Sequence, residues 1–281
     1  MTIAVTSASG QLGAAVVQAL QAMDIEEQVI GLARTPSRAA GLGIEVRPGD
    51  YSDPEQLTKS LEGVDAVLLV SGNEQPDMRI QQHRNVLNAA KTAGVEKVVY
   101  TSVQGAEEGN GFSPVVQSNR QTEADVRASG MEWVIGRNGI YIEPDLESVD
   151  AYKSAGEVAN CAGDAKCGYT TRPELAFAYA RLLTESTNDG RTLALNGEPI
   201  SQAELSAFLN TAFGTQLTFR SMSVEDYRTD RVNELGDFLG TVIAGIYEGI
   251  RQGANDTPSD YAKAAGRPHQ NWDEYFASVA H

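Results

Sequence analysis

Ile3-Ala4-Val5-Thr6-Ser7-Ala8-Ser9-Gly10-Gln11-Leu12-Gly13, followed by Ala14-Ala15-Val16-Val17, decides the fold. An apolar, β-rich run passes through a short glycine-bearing loop into a helical run, so strand, tight turn and helix follow one another directly. Glycine at position 10 lets a pyrophosphate approach the backbone, and glycine at position 13 lets helix and strand pack closely. The helix start at Gln11 and Leu12 offers free N–H donors with partial positive charge. Ser7 stands where a dinucleotide loop has its first glycine, and Ser9 sits between Ser7 and Gly10. A Cβ in a left-handed turn costs roughly 1 to 2 kcal/mol. Ser7 is therefore expected at negative φ in a slightly reshaped turn that still binds a dinucleotide, more weakly than a glycine version would. By itself the triplet also fits a strand-to-helix turn with no ligand.

The alternation continues outward from this unit. Short apolar runs predict strands at 2–6, 28–33, 44–48, 66–71, 97–102 and 132–137, with helices near 11–23, 54–62, 78–94 and 115–129. This is the pattern of a parallel sheet covered on both faces. The fold class is α/β, a Rossmann-like doubly wound parallel sheet with a smaller, partly interleaved C-terminal substrate lobe. Residues 1–140 form the NAD(P)-binding domain and 141–281 the substrate lobe, with a late strand near 192–196 returning to the sheet. Helices are predicted at 173–185, 201–213 and, as one long segment, 223–250.

A chain of 281 residues with 41% hydrophobic content supports one large core or a core plus a lobe. A formal charge of −16 opposes nucleic acid and anionic membrane over most of the surface. No run reaches the roughly 18 apolar residues of a membrane span, and the N-terminus lacks a signal-peptide pattern, so a cytoplasmic protein is expected. Cys161 and Cys167 match neither a redox pair nor a zinc set; two reduced, packed thiols are the reading, with a disulfide as the alternative.

The second strand ends in Leu32-Ala33-Arg34, about 20 residues after the loop, where an NAD enzyme places Asp or Glu against the ribose 2′-hydroxyl. Arg34, followed by Arg38, suits a 2′-phosphate instead, because a planar guanidinium holds phosphate bidentately. NADPH is therefore expected over NADH. Asp50 and Tyr51 close the third strand where adenine ends in such a fold, or they simply precede a helix capped by Ser52 or Asp53. Ser71 and Gly72 follow the fourth strand, and Thr101, Ser102 and Val103 the fifth, along the edge where open α/β sheets bind ligands.

None of the ten tyrosines has Lys four residues later, which argues against the usual alcohol dehydrogenase chemistry of short-chain dehydrogenases. Glu123 reads as a structural carboxylate, and His83 as a structural histidine; His269 and His281 lie near the tail. No Gly-x-Ser-x-Gly elbow, His-Glu-x-x-His helix or P-loop occurs, and no metal site is expected.

The combination of SASGQLG, LART, GDYSD, QQHRNVLNAAKTAGVEKVVYTS, RNGIY, YTTRPELA and AAGRPHQNWDEYFA resembles the NmrA-like atypical short-chain dehydrogenase/reductase family over nearly the whole length. It is most similar to the bacterial type 2 NAD(P)H:quinone oxidoreductases and the triphenylmethane dye reductases. The resemblance implies NADPH across the sheet edge, with contacts at Gly10, Gln11, Leu12, Arg34, Ser71 and Ser102 and with Asp50 and Tyr51 near adenine; the positions of Ser7, Ser9, Gly13, Gly72 and Val103 in the loop and at the strand ends add them to the expected cofactor contacts. It implies that Asn138 and Tyr141 meet a quinone or dye, or else that Asn138 fixes a loop and Tyr141 fills the interlobe core. The activity implied is hydride transfer to a conjugated acceptor with no catalytic protein residue; a non-catalytic NAD(P) redox sensor is the other class. A small-molecule electron acceptor is the expected partner; the sequence leaves the oligomeric state open, with a homodimer among the options. Asn119 stands near where plant reductases of the wider group carry lysine, which disfavours ether and lignan reduction.

Overall fold

In the computed structural model, which describes residues 1–23 and 25–280, β1 (Thr2–Val5) occupies the interior of a seven-stranded sheet. The first half of the chain builds α1 (Gln11–Ala22), β2 (Gln28–Ala33), β3 (Glu45–Pro48), α2 (Pro54–Ser60), β4 (Ala66–Leu69), α3 (Pro76–Ala93), β5 (Lys97–Val103), α4 (Ser113–Arg127) and β6 (Glu132–Asn138). A short 3-10 helix, Pro36–Leu42, separates β2 from β3. The sequence alternation did not signal it, because its Pro36 start and Ala39 contact span too few residues for a period. His281 lies outside the described residues.

The second half adds β7 (Ile140–Tyr141), α5 (Glu143–Glu147), α6 (Val149–Ala155), β8 (Glu157–Asn160), β9 (Lys166–Cys167), β10 (Tyr169–Thr170), α7 (Arg172–Thr184), β11 (Arg191–Leu195), β12 (Ile200–Ser201), α8 (Gln202–Phe213), β13 (Thr218–Ser221), α9 (Val224–Leu235), α10 (Asp237–Arg251), α11 (Tyr261–Ala265) and α12 (Trp272–Val279).

The strand order is β11-β6-β5-β4-β1-β2-β3, and every pairing in this sheet is parallel. The strand order reverses between β1 and β4, which makes their carboxyl ends the switch point where such sheets bind ligands. Two cores result, one on each face. Leu12, Val16, Val17 and Leu20 of α1 meet Leu175, Ala176, Tyr179 and Leu183 of α7 on one side. Leu57, Val86, Leu87, Ala90 and Val126 from α2, α3 and α4 cover the other. Full burial of each such Val or Leu is worth about 2 kcal/mol, so these two layers carry the fold.

A third core holds the C-terminal lobe, built around Tyr169, Leu205, Leu209, Trp272 and Phe276. The pairs β7–β10 and β9–β12 escaped the sequence reading because two-residue strands leave no alternation to detect, and β8–β13, four residues a strand, was missed as well. The predicted continuous helix over 223–250 is corrected: Gly236 sits at φ 80, ψ 167 and divides it into α9 and α10. That backbone conformation is open to glycine and closed to helix continuation. Cys161 and Cys167 are both buried and unbridged.

Candidate cofactor and acceptor site

The loop after β1 departs from expectation at its first residue. Ser7 adopts φ 51, the left-handed region, and not the negative φ its Cβ favours. The turn demands this, because the Ser7 carbonyl must point back at the helix start, where it accepts the Gly10 N–H at 2.8 Å. A Cβ on Gly13 would lie 2.3 Å from that same carbonyl oxygen, so glycine at position 13 is what allows α1 to reach the turn. The Ser7 hydroxyl donates to the Tyr51 hydroxyl at 3.1 Å, one bond that offsets part of the strain.

α1 begins with Gly10 as its N-cap, without a capping side chain and without an acidic residue in the first turn. By contrast α2, α7, α8, α9 and α12 are each capped by a side-chain oxygen, from Asp53, Thr171, Ser201, Ser223 and Asn271. Ser9, Gly10 and Gln11 are exposed, while Leu12 and Gly13 are buried. The N-terminal turn of α1 therefore presents donors and positive potential to solvent with no internal anion, which fits a pyrophosphate.

Tyr51 is buried beneath this loop. Its hydroxyl donates to the Val70 carbonyl at 2.9 Å and contacts Thr6, whose Oγ1 accepts the Val70 N–H at 3.0 Å. Burial pushes the phenol up to about 12, against the hydrogen bonds from Ser7 and Thr6. The tips of β1 and β4 are thus tied together at the switch point. Asp50, half-buried, accepts the Ser52 N–H at 2.9 Å, and Asp53 caps α2 through the Gln56 N–H at 3.0 Å. Beyond β2, Arg34 and Arg38 are exposed and form no ion pair among the described residues.

At the end of β4, Ser71 and Gly72 are half-buried. The Gly72 N–H donates to His83 Nε2 at 2.9 Å, so His83 carries its proton on Nδ1, 2.9 Å from Thr122 Oγ1. Burial, helped by Arg79, lowers the imidazole to about 3. The Ser71 hydroxyl and the Tyr100 hydroxyl both donate to Asn119 Oδ1, at 3.2 and 2.7 Å. Arg79, 7% exposed, has no carboxylate partner among the described residues; its Nη1 lies 3.4 Å from Ser118 Oγ.

At the end of β5, the Ser102 hydroxyl turns inward and donates to Glu123 Oε1 at 2.7 Å, while Val103 packs beside Phe112 and Val116. Glu123 is fully buried and also accepts Arg120 at 2.9 Å, Arg127 at 3.0 Å and Arg137 at 2.8 Å. Burial acts to raise its carboxyl, but Arg137, Ser102 and Arg120 hold it at about 2. The structural reading of Glu123 and of His83 stands.

β6 delivers Asn138 to the same edge, 6% exposed, where its amide donates from Nδ2 to the Tyr141 hydroxyl at 3.3 Å. Asn138 Oδ1 accepts the Tyr179 hydroxyl at 2.5 Å. Burial raises the Tyr141 phenol to about 12, so it stays protonated and able to donate. Sequence reasoning missed Tyr179, Arg79 and the Gln104–Asn196 contact at 2.7 Å, since each joins the site across a long stretch of chain and no local pattern marks it.

Residues 7–185 match the family described as NAD(P)H-binding. The chain belongs to that family. This NAD(P)H-binding protein is 34% identical to quinone oxidoreductase 2 of Escherichia coli (strain K12), across 99% of this chain and 98% of the relative. The solved NADPH-dependent quinone oxidoreductase of Escherichia coli in complex with NADPH superposes with a TM-score of 0.90 at 33% identity, covering 99% of this chain and 100% of that one. The triphenylmethane reductase of Citrobacter sp. complexed with NADP(H) gives 0.90 at 32% identity, with full coverage of both chains, 100% each. An NAD(P)H azoreductase of Xenophilus azovorans is 27% identical over 97% of this chain and 96% of its own. The protein is an enzyme, an NAD(P)H-dependent oxidoreductase related to quinone oxidoreductases and dye reductases. No helix among the described residues is long and apolar enough to cross a membrane.

Proposed function

We propose that this chain is an NADPH-dependent reductase that passes hydride to a quinone or similar conjugated acceptor. The observation that carries the reading is that the carboxylate of Glu123, the imidazole of His83 and the phenol of Tyr51 are already committed. Glu123 is held by three arginines, His83 is neutral and bonded at both nitrogens, and Tyr51 is buried under the loop. Among the described residues these groups leave no free acid–base pair for the alcohol chemistry of the wider superfamily, whereas an electron-poor ring asks only for alignment and a neutral hydrogen-bond donor.

NADPH, when bound, supplies two electrons and one hydrogen as hydride; the quinone becomes the hydroquinone anion, and a proton from water completes the hydroquinone. The chain's part is to bind and orient. The first-turn N–H groups of α1 hold the pyrophosphate, and Arg34 with Arg38 holds the 2′-phosphate. Asn138 and Tyr141 face the acceptor, with the Tyr141 hydroxyl donating to the oxygen that gains charge.

Adding 1,4-naphthoquinone to enzyme and NADPH is expected to abolish the absorbance of the reduced nicotinamide. Arg34→Ala is expected to raise KM for NADPH about tenfold or more and that for NADH less than about twofold, since only the former carries the phosphate. NADPH binding without quinone-dependent turnover would overturn the reductase reading and leave a sensor.

A further inference from the structure

Gly136-Arg137-Asn138-Gly139 places its asparagine between two glycines, and the first of them has a visible purpose. A Cβ on Gly136 would lie 2.4 Å from the Tyr179 hydroxyl oxygen, so glycine at 136 admits that hydroxyl to the strand end. Tyr179 comes from the inner face of α7 and is fully buried. Its oxygen lies 2.5 Å from Asn138 Oδ1 and 3.0 Å from the Gly136 carbonyl. A separation of 2.5 Å fits O–H···O and is too short for N–H···O, so the amide atom that faces Tyr179 is Oδ1 and Tyr179 gives it its single hydrogen.

That donation fixes which end of the Asn138 amide faces which way. With Oδ1 on Tyr179, the NH2 end is turned to Tyr141, 3.3 Å away, and the Tyr141 oxygen accepts. The backbone cannot swing to alter this. The Asn138 carbonyl accepts the Gln104 N–H at 2.9 Å, the Gly139 N–H donates to Leu195 at 2.9 Å, and a Cβ on Gly139 would meet the Gly168 carbonyl at 2.3 Å. Because Tyr141 accepts from inside the protein, its own hydroxyl hydrogen has no partner among the described residues and is left for a ligand. The reversed amide would make Tyr141 donate inward and consume that hydrogen.

We infer that Tyr179 is a positioning residue: by donating to Asn138 Oδ1 it orients the amide so that Tyr141 keeps a free O–H for the acceptor oxygen. The inference rests on the quinone-reductase reading for its catalytic consequence, and on the three-residue geometry alone for the orientation. Tyr179→Phe and Tyr141→Phe are each expected to lower kcat with 1,4-naphthoquinone about tenfold, with the Kd for NADPH unchanged within about twofold. The double variant is expected to fall about tenfold as well, not hundredfold, because Tyr179 acts only through Tyr141. A full-length ¹H–¹⁵N spectrum is expected to show nuclear Overhauser contacts from the Asn138 side-chain NH2, identified by its loss in Asn138→Asp, to the Tyr141 ring. Equal penalties in both backgrounds, an inert Tyr179→Phe, or NH2 contacts to the Tyr179 ring instead would each overturn the positioning role. Absence of quinone turnover in the unaltered enzyme removes the proposed function, while the spectrum still decides the amide orientation.

Discussion

Ser7 shows how a residue disfavoured at a position is held there by its neighbours. Its φ of 51 is imposed by the Gly10 N–H on its carbonyl and by α1 closing in through Gly13. Ser7→Gly is expected to raise the unfolding free energy by about 1 kcal/mol, since glycine enters the left-handed region without the Cβ clash, and to tighten NADPH severalfold. Urea titration and a binding isotherm measure both; a destabilised Ser7→Gly protein would show that the hydroxyl bond to Tyr51 outweighs the strain. The turn was legible in the sequence, but its handedness was not. A preference of 1 to 2 kcal/mol for negative φ is smaller than the packing of a strand against a helix.

At the scale of elements, α3 and α4 meet through a polar seam that ties β4 to β5. His83 bridges Gly72 and Thr122 in its neutral form. Its imidazole is lowered from 6.5 to about 3 by burial, so above pH 6.5 the folded and unfolded states agree, and below it only the unfolded chain takes the proton. Stability is therefore expected to decline by up to about 1.4 kcal/mol per pH unit as pH falls from 6.5 towards 3, and His83→Gln is expected to flatten that slope in urea midpoints taken between pH 7 and 5. Glu123 behaves with the same sign at lower pH. Its stabilisation is present above 4.5 and is lost as pH falls through about 2. Glu123→Gln is expected to cost roughly 3 kcal/mol at neutral pH, because three guanidinium groups are left around a neutral amide. Should the urea midpoint stay put, the arginines find other anions and the cluster is not a staple. The helices themselves were readable from their period, and the Ser201–Glu204 capping box that opens α8 emerged with the structure. The break at Gly236 was equally present in the letters, yet the apolar run of α10 masked it.

For the molecule as a whole, α10 fastens the second lobe to the sheet edge. Val242 and Ile246 pack on Phe112, Val115 and Val116, and a Cβ on Gly245 would lie 2.1 Å from the Phe112 backbone nitrogen. Gly245→Ala is expected to push α10 off the loop that follows β5, lowering Tm by several degrees and raising KM for the acceptor more than for NADPH. A variant with wild-type Tm and KM would mean that the loop yields without disturbing the cleft. By itself the sequence determined the layered α/β class, the glycine-bearing turn between β1 and α1 and the cation at the end of β2, because strand period, helix period and charge are properties of neighbouring residues. Only the tertiary structure decided that Ser102 turns to Glu123, that Tyr51 lies under the loop and that Tyr179 reaches Asn138. Those contacts join residues 21, 44 and 41 positions apart, and which hydroxyl meets which partner is set by how two helices and a sheet close on one another.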